Sequence, residues 1–479
     1  MEKNKTKQSQ QKVAVHGDTK SHKRSNFKKD YKADKKADYR KENKNEQKNE
    51  YKNEYKNEYK NEYKNDYKKK YDDEKNRKFT DKKDRNSPIR KKDLETKKQS
   101  MCPVFERCGG CQYIDTPYEE QLAAKQKNMK LLLGEFGKVE PIRAMKDPFH
   151  YRNKVHAVLS RKKDGTILTG NYEKGTHNVV AVEQCFIENK KADEIIRTMA
   201  KLFQSFKIKI YNEDTDFGLV RQLLVRTGSH TGQIMVVIVT TSPIFPSKNN
   251  FVKALRKEHP EITTIVQNIN DRQTSMVLGQ REQVLYGKGY IEDTLCEKVF
   301  RLSAKSFYQV NPVQTEVLYQ LAITMAGLTG KEVVLDAYCG IGTIGIIAAA
   351  KAKEVIGVEL NKDAVKDANI NAKRNEITNI SFYNNDSGKF MEELSAQGKQ
   401  IDVVLMDPPR SGSDEAFLRS LLNVGPKKIV YISCGPTTLA RDLKFLTKFN
   451  KYEVKRICPV DMFPMTGHVE TCCLLYKTK

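Results

Sequence analysis

Apolar residues are spread along this chain in two regimes that meet near residue 100. In the first hundred residues Val, Ile, Leu and Phe are represented only by Val13, Val15, Phe27, Phe79, Ile89 and Leu94, too few to bury a core that offsets chain entropy. Residues 1–98 are therefore expected to form a disordered, lysine-rich, low-complexity tail. Further on, apolar runs alternate with helical spacing. Lys331-Glu-Val-Val-Leu-Asp336 reads as a strand that enters a glycine-rich turn, and a helix follows through Ile346 to Ala350. Strands recur at Glu354–Glu359, Ile380–Asn384, Asp402–Asp407 and Lys428–Ser433 with helical segments between them. This alternation predicts an α/β catalytic domain over 296–479 built on a doubly wound, mostly parallel sheet. Within 99–295, Gln233–Thr240 and Thr274–Leu278 alternate as strands and predict a smaller, β-rich central region.

Charge adds a second feature to the tail. The 479 residues carry a formal +25, and the first hundred, with 34 basic and 19 acidic residues, account for +15 of it. From Lys48 to Tyr67 the sequence cycles as Lys-Asn-Glu-Tyr. In a helix this period would stack like charges at i,i+4, so a stable lone helix is not expected. The repeat suits either an arm that holds RNA phosphates while tyrosines stack on bases or a solubilising tail. No apolar run reaches 18 residues and the basic N-terminus lacks an apolar stretch, so a cytoplasmic protein without a membrane partner is expected. In such a reducing compartment clustered cysteines point to metal ligation or catalysis.

Cys102, Cys108 and Cys111 fall within ten residues, and Cys185 stands further on. Gly109 and Gly110 let the chain curl so that Cys108 and Cys111 face one centre. Four thiolates suit a tetrahedral zinc or a [4Fe–4S] cube, and the single Cys-x2-Cys pair leans toward iron–sulfur. In the C-terminal half, Gly340, Gly342 and Gly345 have dinucleotide-type spacing, and Glu359 ends the next strand, where it suits ribose hydroxyls. Asp336 tilts the reading from NAD to S-adenosylmethionine, because a carboxylate there attracts a sulfonium and repels a pyrophosphate. Asp336, Glu359, Asp386, Asp407 and Cys434 all fall at strand ends, where ligands of such sheets bind.

Cys434 follows an apolar strand in Ile432-Ser-Cys434-Gly-Pro. The C5 carbon of a pyrimidine is a poor nucleophile until a thiolate adds at C6, and Cys434 is placed for that addition. A base must then remove the C5 proton, and Glu470 in Gly467-His-Val-Glu470-Thr is the candidate. Asp407-Pro-Pro-Arg410 supplies a rigid turn that can line a pocket for a flipped base. Read alone, Cys434 also suits an inert strand cysteine and Glu470 a surface charge. Arg221, Arg226 and Arg272 could bind phosphate in the central region, although scattered arginines are more often plain surface residues.

Together, the cysteine cluster, Ser306-Phe-Tyr-Gln-Val-Asn311, Asp336-Ala-Tyr-Cys-Gly-Ile-Gly342, Asp407-Pro-Pro-Arg410, Ser433-Cys-Gly-Pro-Thr437 and His468-Val-Glu-Thr471 resemble the RNA uracil-5-methyltransferases acting on 23S rRNA or tRNA. The resemblance runs from Cys102 to the C-terminus and implies a class I, Rossmann-like methyltransferase. It implies that Gln309, Tyr338, Glu359 and Asp407 contact S-adenosylmethionine, that Cys434 is the nucleophile and Glu470 the base. It also implies that Cys102, Cys108, Cys111 and Cys185 hold a [4Fe–4S] cluster, and that the partner is RNA, with 23S rRNA ahead of tRNA. Many such enzymes begin with a small β-barrel RNA-binding module; here the lysine-rich tail takes that place and is expected to supply the lost electrostatic contacts. A non-catalytic RNA-binding or assembly factor and an NAD-linked oxidoreductase are the alternatives.

Overall fold

The computed structural model describes residues 100–273, 276–448 and 450–478, so the expectations for residues 1–98 lie outside the described residues. Helix α1 (Tyr118–Leu133) precedes strands β1 (Lys154–Arg161), β2 (Ile167–Tyr172) and β3 (Val179–Ala181). Next come α2 (Lys190–Ser205), β4 (Val220–Thr227), β5 (Ile234–Thr240), α3 (Lys248–Glu258), β6 (Ile262–Ile269) and β7 (Arg281–Tyr286). These strands form one seven-stranded sheet in the order β3-β2-β1-β4-β5-β6-β7, antiparallel except for β5 and β6, which α3 connects. Alternation sorts its side chains: Leu223, Val225, Val236 and Ile238 pack under α2 and α3, while Leu224, Met235 and Val237 face the catalytic core. Strand β5 is buried at every position, which explains its unbroken apolar run.

The strand expected at Thr274–Leu278 does not form. Met276–Leu278 lie in bends before β7, held by Asn270 Nδ2 donating to the carbonyls of Met276 and Val277 (2.7 and 3.1 Å); Thr274 and Ser275 are outside the described residues. Side-chain amides take the place of ladder bonds here, which the apolar count could not reveal.

A hairpin of β8 (Ile291–Leu295) and β9 (Lys298–Leu302) follows, turning at Cys296 and Glu297 with φ of 48° and 64°, the left-handed pair that a tight hairpin requires. The rest of the chain alternates: α4 (Pro312–Ala326), β10 (Val333–Ala337), α5 (Thr343–Ala349), β11 (Glu354–Glu359), α6 (Lys362–Arg374), β12 (Ile380–Asn384) and α7 (Ser387–Ala396). It ends with β13 (Val403–Met406), α8 (Glu415–Val424), β14 (Lys428–Ser433), α9 (Pro436–Thr447), β15 (Tyr452–Val460) and β16 (Glu470–Lys477). The sheet order is β12-β11-β10-β13-β14-β16-β15. Its first five strands are parallel, and β16 runs antiparallel between β14 and β15. This is the Rossmann-like methyltransferase sheet expected from the sequence.

Helices α4 and α5 cover one face; α7, α8 and α9 cover the other, joined by Met129 and Leu133 of α1. The segment after the first three cysteines is thus packed on the catalytic sheet. Asn311, Asn361, Asp386 and Asp414 cap α4, α6, α7 and α8 through side-chain oxygens, so Asp386 is a helix cap as well as a strand-end group. Among the described residues no helix is long and apolar enough to cross a membrane.

Candidate active site

Strand β10 is flanked by β11, the next strand in the chain, and by β13, so the connections diverge from it and leave a crevice beyond its carboxyl end. A cavity of about 430 Å³ lies there, lined among others by Tyr338, Glu359, Leu360, Asp386 and Phe417. Glu359 is held by Gly340 N donating to Oε2 (3.1 Å) and Asn361 N to Oε1 (2.8 Å), which sets its carboxylate at the rim, where ribose hydroxyls can reach it. Tyr338 adopts φ 65°, a conformation costing a bulky residue about 1–3 kcal/mol, and its ring lies 5.2 Å from that of Phe417. Size, an apolar wall at Leu360 and Phe417, and a carboxylate at the strand end fit an adenosyl group.

Asp336 does not line this cavity. Only 1% exposed, it accepts the Gly345 amide on Oδ2 (2.8 Å) and ties strand β10 to the first turn of α5. A side chain at Gly345 would sit 2.7 Å from that oxygen. Burial pushes the Asp336 carboxyl up to about 8. The expectation that it meets the sulfonium is therefore corrected: desolvation and the short bond make it a staple of the turn. Gln309 and Asp407 are also outside the cavity lining. Both adjoin buried Tyr319, which hydrogen-bonds Gln309 and feels the charge of Asp407, and Asp407 also acts on Cys434 and Glu470.

Cys434 follows β14, and the antiparallel register pairs Ser433 with Thr471. That pairing places Glu470, 36 positions later in the chain, next to Cys434. Glu470 is 2% exposed and its Oε2 accepts no hydrogen bond, so it is no surface charge. Burial and the neighbouring Asp407 hold its carboxyl well above the usual range, opposed by Arg410. Cys434 is half-buried, and burial, Glu470 and Asp407 push its thiol up to about 11, against Arg410. The Asp407-Pro-Pro-Arg410 turn is fastened to this spot by Thr438 Oγ1, which donates to the carbonyls of Arg410 (3.2 Å) and Gly435 (2.9 Å). The sequence reading missed Arg410 as the cation shared by both groups; its place in that motif was the available signal.

Cys102, Cys108, Cys111 and Cys185 all line a second cavity of about 210 Å³, and none forms a disulfide. Among the described residues no three His, Cys, Asp or Glu side chains converge closely enough to grip one metal ion. Burial, with Cys108 and Cys102 beside it, pushes the Cys111 thiol up to about 12, and burial raises Cys185 as well. Thiolates there need a cationic group to neutralise them. Four thiols around one cavity are a donor set whose chemistry suits iron–sulfur or zinc alike.

Two of the arginines suggested for phosphate are engaged by backbone carbonyls, Arg226 in the interior and Arg221 at a partly exposed position. Arg226 is fully buried and donates to the Ser306 carbonyl (2.7 Å), while Arg221 donates to the carbonyls of Asn270 and Arg272 (3.2 and 2.6 Å). Arg272 is exposed.

Fold and crevice define a class I methyltransferase that uses S-adenosylmethionine. The sequence profile of the tRNA (uracil-5-)-methyltransferase family matches residues 117–478, and the chain belongs to that family of RNA methyltransferases. It is 42% identical over 382 residues to an uncharacterized RNA methyltransferase of Halalkalibacterium halodurans, covering 79% of this chain and 83% of the relative. A similar protein of Clostridium acetobutylicum is 42% identical over 386 residues, covering 79% and 84%. Among solved structures, the Pyrococcus abyssi tRNA (uracil-54, C5)-methyltransferase in complex with S-adenosyl-L-homocysteine superposes with a TM-score of 0.65 at 28% identity, covering 77% of this chain and 86% of that one.

Proposed function

We propose that this enzyme methylates C5 of a uridine in RNA through a covalent bond between Cys434 Sγ and C6 of the base. The observation that carries this reading is the register that sets Cys434 beside Glu470 under the Asp407-Pro-Pro-Arg410 turn. Tyr338, Glu359, Gln309 and Asp407 would hold S-adenosylmethionine, which would supply an electrophilic methyl group when bound. Cys434 gives its proton to solvent water, and the thiolate adds to C6, sending the ring electrons toward C5 and O4. Carbon C5 takes the methyl group as the S–CH3 bond breaks, leaving S-adenosylhomocysteine; Glu470 then removes the C5 proton, the C5–C6 double bond re-forms, and the C6–Sγ bond breaks to release the Cys434 thiolate. Glu470 suits this step because an unpartnered, desolvated carboxylate is a stronger base than one in water.

The reading predicts opposite fates for two variants. Cys434→Ala should form no adduct and no product. Glu470→Gln should methylate but release slowly, so that a denaturation-resistant protein–RNA species accumulates. RNA carrying 5-fluorouridine should trap the wild type as well, since fluorine cannot leave as a proton. Turnover by Cys434→Ala at the wild-type rate would overturn the scheme and favour a different chemistry.

For the substrate, the resemblance of the sequence motifs puts 23S rRNA first. The match to the tRNA (uracil-5-)-methyltransferase family and the likeness to the archaeal tRNA (uracil-54, C5)-methyltransferase support tRNA as a second reading. Mapping 5-methyluridine in both RNAs from cells with and without the gene separates the two. Cys102, Cys108, Cys111 and Cys185 are proposed to hold a [4Fe–4S] cluster. Anaerobically purified protein should then be brown and contain iron and labile sulfide in equal amounts; colourless protein with stoichiometric zinc would refute it.

A further inference from the structure

The stretch from Asp461 to Val469 joins β15 to β16 and delivers Glu470 to the site. Most of it is buried: Asp461, Met462, Met465, Thr466 and Val469 are each at most 4% exposed. A buried loop must find partners for its backbone groups outside itself, and here they come largely from the segment just after the third cysteine. The amides of Gln112 and Tyr113 both donate to the Met465 carbonyl (3.0 Å each). Gln121, with no exposed surface, accepts the Met465 amide on Oε1 (3.0 Å) and donates from Nε2 to the carbonyls of Tyr113 and Thr116. Gln112 Oε1 accepts the Gly467 amide (3.1 Å).

Other contacts come from the start of α4, where Asn311 and Gln314 donate to the Met462 and Asp461 carbonyls (3.0 and 3.1 Å), and from residues further along the N-terminal segment. Lys125 donates to Asp461 Oδ1 (2.6 Å) and to the Phe463 carbonyl (3.1 Å), and Tyr151 donates its hydroxyl proton to the Pro464 carbonyl (3.0 Å). Met465 is held at φ 65°, a conformation that persists in a non-glycine residue only when both of its peptide groups are gripped. Its side chain belongs to the same apolar cluster as Ile114 and Tyr151, against which Cys102, Cys111 and Cys185 pack. Gln112 is bonded to Cys111 in the chain, and Gly467 stands three residues before Glu470.

We propose that Gln112 and Gln121 are positioning residues for the proton-removal step. They clamp Met465 and Gly467, set the placement of Glu470, and make that placement depend on the integrity of the four-cysteine pocket. The inference rests on Glu470 being the base. Disturbing the clamp retards the last step, proton removal and release of Sγ, while the first step at Cys434, just after β14, proceeds unchanged, since none of the hydrogen bonds of the clamp goes to β14 or Cys434.

Gln112 is exposed, so Gln112→Ala keeps the buried packing, and Gln112→Glu keeps an oxygen acceptor for the Gly467 amide. With ordinary RNA and S-adenosylmethionine, Gln112→Ala should raise the steady-state fraction of covalent protein–RNA species about fivefold, the worth of one hydrogen bond. It should leave the rate of adduct formation on 5-fluorouridine RNA within about twofold of wild type, and Gln112→Glu should restore the wild-type level. Hydrogen exchange should quicken in a peptide spanning 461–469 and stay unchanged in 428–433. If Gln112→Ala slows both reactions equally, or accumulates nothing while Glu470→Gln does, the clamp is refuted and the base stands. If Glu470→Gln itself accumulates no adduct, both assignments fall together.

Discussion

Two ionisations set the pH behaviour of the proposed site. The Cys434 thiol stands at about 11, raised by burial and by the Glu470 and Asp407 carboxylates, so the reactive thiolate is a small minority at pH 7 and grows about tenfold per pH unit below that value. Adduct formation on 5-fluorouridine RNA should accordingly climb between about pH 7 and pH 9, and a flat profile would show that another group takes the thiol's proton. Arg410 opposes the rise at both Cys434 and Glu470. Replacing it by Gln should slow adduct formation by roughly tenfold at pH 7, with Lys recovering part of the loss. The cysteine and the glutamate were readable as candidates from their motifs. The arginine's double role was not, because it follows from a distance across two loops.

Among the elements, α4 shows how one side chain joins two layers. Asn311 accepts the Gln314 amide on Oδ1 (3.2 Å) as the helix cap, and its Nδ2 donates to the Met462 carbonyl in the buried connection to β16 (3.0 Å). Asn311→Ala removes both bonds and leaves buried groups unpaired, so it should cost about 2–3 kcal/mol, seen as a lowered midpoint in denaturant unfolding. Asp414→Ala, which loses a cap alone, should cost about 1 kcal/mol. The strands β11 to β14 were legible because apolar runs of strand length end in carboxylate or thiol. The Thr274–Leu278 run misled because the Met276 and Val277 carbonyls are satisfied by the Asn270 side chain, an arrangement that periodicity does not encode.

For the molecule as a whole, buried carboxyls shape stability. Asp336 stands at about 8 in the folded protein and near 4 when unfolded. A raised folded value means that the native state binds the extra proton between these limits, so its contribution is full below about pH 4 and is lost as pH rises toward 8. The midpoint of thermal unfolding of the ligand-free protein should therefore fall from pH 5 to pH 8. Asp336→Asn, which can still accept the Gly345 amide, should flatten that slope; an unaltered slope would assign it to other groups. At the same scale, removing residues 1–98 should weaken RNA binding and reduce its dependence on salt if the basic tail supplies phosphate contacts.

From the order of its residues alone, the chain determined the parallel strands and the glycine-rich turn, and it marked Cys434, Glu470 and the four cysteines as candidates, because each of these signals is carried by local spacing and residue type. Tertiary structure decided the rest. The reversed strand β16 inserts beside β14 and so brings residue 470 to residue 434; α1 and the cysteine segment cross over to brace the loop before it; and Asp336 turns inward to the Gly345 amide. These outcomes depend on which buried polar group finds which partner across hundreds of residues, and that is settled by packing and desolvation, on which sequence spacing is silent.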